Sequence, residues 1–593
     1  MPTIQQYFDI PSSYGGLPLA DDSLLYLCDA SGTTQIWRQR GSLPPEQVTD
    51  FADRVMRLYA SPDGEGCFFT KDTGGDERAQ IWRLDTQDKA IQLTDDPKVT
   101  HQFGGVSPDG HTLYYACNRR HAAHFDLCSM DLQTGEHRIL LQNEDFFNTP
   151  ATLSPDGRWL CFNKMRGKSD NHLWMLDTGT GELRQVGRPG AEATYEEPVF
   201  QADSSALYLL TDQDMDVRRV MRYDPEAGTL SRVHEELWDI EDLAFSAEDR
   251  FLAMVVREEG FSRLKVLDKK RYAFVQLPEV ADGLISGLRW HPEKPLLYFT
   301  WSGGARPRHV WSLDVESGQL SQVTKGDTAG IDPESLIAPT LHRFTSFDGL
   351  SVPYYFYQAP GDAPGPVLLS IHGGPEGQER PAFKPVYQYL LSQGISIAAP
   401  NVRGSDGYGK EYVHLDDKEK RLDSVKDIGA LVEHLVEVGQ AKAGHMAVMG
   451  ASYGGFMTLS CLARLPQHFA AGVDIVGITN LVTFLTNTSS YRRAHRESEY
   501  GSLEHQRDML FEVSPIAKVQ DIRAPLMVVH GANDPRVPIS EAEQIVQSLQ
   551  KRGIPVQYLR YEDEGHGLAK KKNQLDCYQQ VASFLRENLG VKA

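Results

Sequence analysis

The run Gly450-Ala451-Ser452-Tyr453-Gly454, followed by Gly455, sets a serine among small residues between an apolar stretch, HMAVMG, and a helical pattern, FMTLSCLARL. A nucleophile elbow requires this strand–turn–helix context, because the serine sits on a sharp, strained turn where side chains at the glycine positions would clash. Helix onset just past Ser452 also aims backbone N–H groups at charge developing on a substrate carbonyl. The chemistry expected of Ser452 is therefore acyl transfer, which needs a base and a carboxylate to orient that base.

On a parallel sheet these partners should follow in the order Ser, Asp or Glu, His, each beyond the end of a later strand. The apolar run PLMVVHG leads into ANDPRVP and offers Asp534; the next, VQYLRY, leads into EDEGHG and offers His566. Glu562, Asp563 and Glu564 are rival acids on the histidine's own loop, and His372 and His530 are rival bases. For the oxyanion, one donor should be the N–H of Tyr453 and the other should come from the loop after an early strand. SIHGGPEG supplies that loop: Gly373 and Gly374 both permit close backbone approach, and Gly374 is the expected donor.

The elements that must position these groups lie in the second half of the chain. Beyond an entry hairpin at 341–357, apolar strands at 366–372, 396–402, 445–450, 472–477, 525–531 and 556–561 alternate with helical patterns such as SVKDIGALVEHLVEVG. That rhythm predicts an α/β-hydrolase fold over 336–593.

The first half repeats itself. LADDSLLYL from Leu19, ASPDGEGCFFT from Ala60, VSPDGHTLYYAC from Val106 and LSPDGRWLCF from Leu153 each join a turn to an apolar strand. Weaker copies start at Gln201, Ser246 and His291, so seven copies lie 41 to 48 residues apart. A second signal, TTQIWRQR, RAQIWRLD, NHLWMLDTGTGE and RHVWSLDVESGQ, falls between them. The period is that of a four-stranded propeller blade, which predicts a seven-bladed β-propeller over 18–335 after an N-terminal segment, 1–17.

A net charge of −21 disfavours non-specific nucleic-acid binding, which needs a basic footprint. No stretch reaches the roughly 20 apolar residues that span a bilayer, and the first residues have neither a basic start nor an apolar run, so no membrane or secretory role is expected. Seven scattered cysteines without a CxxC pair argue against a disulfide framework or zinc site and for reduced thiols in the cytoplasm. No HExxH, P-loop or dinucleotide fingerprint occurs, and no metal is expected. A homo-oligomer is left open.

Taken together, HGGP at 372–375, NVRGSDGYG at 401–409, GASYGG at 450–455, HGANDPRVP at 530–538 and EGHG at 564–567 resemble the prolyl oligopeptidase family, and within it the acylaminoacyl peptidase branch. The resemblance implies a propeller that covers the active site and admits short peptides, and hydrolysis through an acyl-enzyme without metal or organic cofactor. Ser452, Asp534, His566 and Tyr453 map onto the family's motif positions. It also implies a side-chain pocket at GITNLVTF, with Ile478, Leu481 and Phe484 as lining residues and Tyr453 and Val537 on other walls. Leu481 stands where proline-selective relatives tend to carry a large aromatic. Arg536 resembles an arginine that contacts substrate carbonyls, with a surface salt bridge as its alternative. Dipeptidyl peptidases of the family bind a free N-terminus with a glutamate pair on the propeller; Glu196-Glu197, Glu235-Glu236 and Glu258-Glu259 are the pairs on offer. The substrate class expected is short peptides, cleaved by an acylaminoacyl, aminoacyl or dipeptidyl exopeptidase. A carboxylesterase and an inactive binding scaffold are the alternatives.

Overall fold

In the computed structural model, residues 2–144, 148–167, 169–361 and 363–591 are described. Seven antiparallel sheets of four consecutive strands each form among them, the innermost strands running at Ser13–Pro18, Val55–Ala60, His101–Val106, Asn148–Leu153, Tyr195–Phe200, Ile240–Phe245 and Leu284–Trp290. Each SPDG-type repeat is the hairpin between the first two strands of a blade. Its serine and aspartate lock the turn: Ser107 Oγ donates to Asp109 at 2.5 Å and accepts from Thr112 N at 2.9 Å. The IW-type repeats are the third strands, such as Gln35–Arg40 and Gln80–Leu84, whose alternate side chains pack between blades.

Among the described residues no strand is shared between the first and last blades, so packing closes the ring. Leu24, Tyr26 and Cys28 of the first blade bury against Tyr298 and Val310 of the seventh. Gly16 lies so close to Val310 that a Cβ there would sit 2.7 Å from it, and Gly15 N donates to Thr300 Oγ1 at 3.1 Å.

The second half is an eight-stranded sheet. Its strands are β1 (Thr340–Thr345), β2 (Ser351–Tyr357), β3 (Gly365–Ile371), β4 (Ser396–Pro400), β5 (Ala441–Ala451), β6 (Ala471–Ile475), β7 (Leu526–Gly531) and β8 (Val556–Tyr561), in the order β1-β2-β4-β3-β5-β6-β7-β8. From β4 to β8 all neighbours are parallel. Parallel strands are covered on both faces, and β3 to β7 accordingly read as almost continuous apolar runs.

The covering helices used below are α1 (Ile4–Asp9), α2 (Pro385–Ser392), α3 (Asp423–Glu437), α4 (Tyr453–Arg464), α5 (Leu481–Asn487), α6 (Ser490–Tyr500), α7 (Ser540–Lys551) and α8 (Lys571–Leu589). Helix α1 begins at a capping box between Thr3 and Gln6 and buries Ile4 and Phe8 with Leu390 of α2 and Leu585 of α8. The N-terminal segment thus contributes to the hydrolase core before the chain enters the first blade at Ser13, ahead of the turn copy at Leu19. No helix among the described residues is long and apolar enough to cross a membrane.

Candidate active site

Ser452 is the turn between β5 and α4, with φ 60° and ψ −117°, a left-handed backbone that non-glycine residues rarely adopt. The turn is held by Ser452 N donating to Ile475 O at 2.9 Å and by Phe456 N donating to Ser452 O at 3.0 Å. A Cβ on Gly450 would overlap the Gly454 backbone, and one on Gly454 the Ile371 carbonyl, so both glycines are required by close approach. Tyr453 is the first residue of α4, and the first N–H groups of a helix have no acceptor within it. The HGGP loop lies against the serine: a Cβ on Gly373 would sit 3.6 Å from Ser452 Cβ and 3.1 Å from Ala451 O, with Gly374 (φ 146°) next in the chain.

Asp534 follows β7 and His566 follows β8. His566 Nδ1 lies 2.7 Å from Asp534 Oδ2. The aspartate's other oxygen accepts from Arg536 N at 2.8 Å and Val537 N at 3.0 Å, which fixes the carboxylate in the loop. Burial by itself would raise the Asp534 carboxyl, but the hydrogen bond and charge of His566 outweigh it and hold the group below the usual aspartate value.

The rival acids and His372 are engaged elsewhere, and His530 flanks Asp534. Glu564 accepts from Ala569 N and Lys570 N, Asp563 pairs with Lys570, and Glu562 pairs with Arg560. His530 is wholly buried, its Nε2 3.0 Å from Val537 O and 3.7 Å from Asp534 Oδ2, while His372 Nε2 is 2.8 Å from Ser405 Oγ.

The propeller reaches this corner. Gly75 packs on Gly565 so tightly that a Cβ would lie 2.5 Å from its nitrogen, and Asn533 Nδ2 donates to Gly74 O at 3.1 Å. On the same loop Glu77, in a left-handed backbone of φ 57°, accepts from Arg536 Nε at 2.6 Å and from Arg492 Nη2 at 2.7 Å. A second bridge joins Arg257 and Arg380, on opposite domains, through Glu241, and Arg257 continues to Asp406 at 2.7 Å.

A strand–turn–helix serine and a buried aspartate–histidine pair under a seven-bladed propeller invite comparison with known proteins. The family model for the N-terminal β-propeller domain of prolyl oligopeptidase matches residues 43–326, and that of the prolyl oligopeptidase family matches residues 381–592. The chain belongs to the prolyl oligopeptidase family. It is a serine-type peptidase.

Among its relatives in that family, dipeptidyl aminopeptidase BIII of Pseudoxanthomonas mexicana is 26% identical over 96% of this chain and 86% of its own length. Acylamino-acid-releasing enzyme 2 of Oryza sativa subsp. japonica is also 26% identical, over 42% of this chain and 33% of its own. A puromycin-hydrolyzing peptidase of Mycobacterium tuberculosis shares the fold with a TM-score of 0.88 at 20% identity, covering 100% of this chain and 96% of that one.

Within this prolyl oligopeptidase frame, Ile478, Leu481, Phe484 and Val537 are all buried, in the apolar cluster that also holds Tyr453. Arg536 is tied to Glu77 across the domain boundary, a partner that sequence reasoning missed because it lies on a propeller loop. Each glutamate pair contributes to ion pairs: Glu196 with Arg218, Glu235 with Arg232, Glu236 with Lys265, Glu258 with Arg263 and Glu259 with Arg343. Glu197 sits on an innermost strand at φ 45° with its side chain exposed. Glu196 also lines a cavity of about 80 Å³ between the domains, together with Asp212, Asp239, Arg218, Glu376 and Asp406.

Proposed function

We propose that this peptidase cleaves short peptides by acyl transfer to Ser452 Oγ. His566 takes the hydroxyl proton as the oxygen attacks the scissile carbonyl, then delivers it to the leaving amine; water repeats the sequence on the acyl-enzyme. Asp534 holds the proton on Nδ1, leaving Nε2 as the base, and stabilises the imidazolium. The N–H groups of Tyr453 and Gly374 receive the oxyanion. Ile478, Leu481, Phe484 and Val537 form the apolar wall for the side chain beside the scissile bond, and Arg536 approaches a substrate carbonyl.

The observation that carries this reading is the 2.7 Å contact between His566 Nδ1 and Asp534 Oδ2, made by residues on successive strand ends beyond the Ser452 elbow. Propeller loops seated on the Asp534 and His566 loops support restriction to short or flexible peptides. An exopeptidase acting on free amino ends is supported by the end-to-end match to a relative named a dipeptidyl aminopeptidase.

The test is a library of fluorogenic peptides, N-free and N-blocked in matched pairs. Preference for N-free members is expected. Preference for N-blocked ones would move the assignment to the acylaminoacyl branch, and fast esterolysis with negligible amide cleavage would make the protein a carboxylesterase.

A further inference from the structure

Directly behind the nucleophile turn lies a polar cluster that the triad does not use. The Tyr453 side chain is wholly buried, and its hydroxyl is 3.0 Å from Asp416 Oδ2 and 2.9 Å from Ser424 Oγ. Ser424, in the first turn of α3, donates to Arg421 O at 2.8 Å. Arg421 is itself buried: Nη1 donates to Asp416 Oδ2 at 2.5 Å, and Nη2 donates to Glu499 Oε1, near the end of α6, at 3.1 Å. Its guanidinium stands 4.8 Å from the ring centre of Tyr500 and 5.5 Å from that of Tyr453.

Charges this deeply buried are costly to desolvate, and apolar side chains of equal volume would often serve stability as well. Burial pushes the Asp416 and Glu499 carboxyls above the ordinary range, against the pull of Arg421. The cluster nonetheless engages the one side chain rigidly joined to the backbone N–H next to the nucleophile. It also grips from the other side: a Cβ on Gly404, in the NVRG loop, would overlap the Asp416 carboxylate, so there is no room for the aspartate to swing away. Parallel stacking of Tyr453 on Phe456, with centres 5.9 Å apart and planes 16° apart, completes the clamp within α4.

We propose that Asp416, held by Arg421, is a positioning residue for the oxyanion hole: by anchoring the Tyr453 hydroxyl it fixes the first turn of α4 and so the aim of the Tyr453 N–H. The inference rests on the reading of Ser452 as nucleophile and Tyr453 N–H as oxyanion donor. A donor aimed at the tetrahedral intermediate contributes in the transition state and little to ground-state binding, so its misalignment should lower kcat and leave KM in place.

Tyr453→Phe removes one oxygen and keeps the ring. Its kcat on a peptide anilide should fall about 10-fold, less than the roughly 100-fold that follows outright loss of a donor. KM should stay within about 2-fold, and inhibition by a peptide aldehyde, whose adduct carries the oxyanion, should weaken by the same factor as kcat. Asp416→Asn keeps an acceptor for the phenol and should retain more activity than Asp416→Ala. Wild-type kcat and aldehyde affinity in Tyr453→Phe, beside a dead Ser452→Ala, would overturn the positioning role and leave the nucleophile standing. Activity surviving in Ser452→Ala would overturn the underlying reading instead.

Discussion

Glu77 of the second blade accepts from Arg536 Nε at 2.6 Å, two residues beyond Asp534 on the catalytic domain. The same carboxylate holds Arg492, so one propeller side chain braces both the loop that carries the aspartate and the helix α6 beside it. The pairing is largely shielded on the Glu77 side, whose side chain is 11% exposed against 41% for Arg536. Shielding makes it stronger than an open surface pair, which contributes about 0–1 kcal/mol.

Glu77→Gln should therefore lower kcat/KM several-fold on peptides while leaving reaction with a small fluorophosphonate nearly unchanged. If the effect runs through Arg536, the double variant Glu77→Gln/Arg536→Ala should be no worse than Arg536→Ala alone. Additive losses would show that the two residues act separately.

Asp534→Asn preserves shape but offers His566 Nδ1 a different partner and removes the charge that stabilises the imidazolium. A fall of about 10³- to 10⁴-fold in kcat is expected, with KM little altered. Steady-state kinetics on one anilide would check it, and a loss confined to KM would contradict the orienting role.

Asp474 on β6 is wholly buried, and burial pushes its pKa up to about 7 against the pull of a backbone hydrogen bond from Gly477. An acid raised in the folded state is bound to a proton there that the unfolded chain releases near its ordinary value. Stability from the neutral form is therefore complete below about 4 and declines as pH rises towards 7. Asp474→Asn cannot ionise, so its Tm relative to the wild type should improve between pH 5 and pH 8. A pH-independent difference in thermal melts would contradict the assignment.

Phe8 of α1 stacks on Tyr578 with ring centres 5.7 Å apart, inside the hydrolase core. Phe8→Ala should destabilise that domain by about 3 kcal/mol, read as an earlier denaturant midpoint of catalytic activity. An unchanged midpoint would mean that α1 is dispensable to the domain.

Local patterns carried the parts of this molecule that are legible in its sequence. The elbow at Ser452 is written in glycines that only one turn geometry demands, and Asp534 and His566 lie just beyond apolar strands whose order the alternation with helices reveals. Blade spacing is likewise local, since each SPDG hairpin closes on itself. What the sequence conceals is made across distance. Glu77 lies 459 residues from Arg536, and nothing in GGDERAQ marks it as the partner. Arg421 and Glu499 look like ordinary surface charges until the fold buries them behind α4. The helix of residues 4–9 belongs structurally to a domain whose sheet begins at Thr340.

Ser452 is tested most directly by Ser452→Ala in the full chain, followed by fluorophosphonate labelling and by turnover of a peptide anilide. Both should vanish while thermal melting stays within a few degrees of the wild type. Labelling or turnover that persists in the folded variant would contradict a nucleophilic role for Ser452.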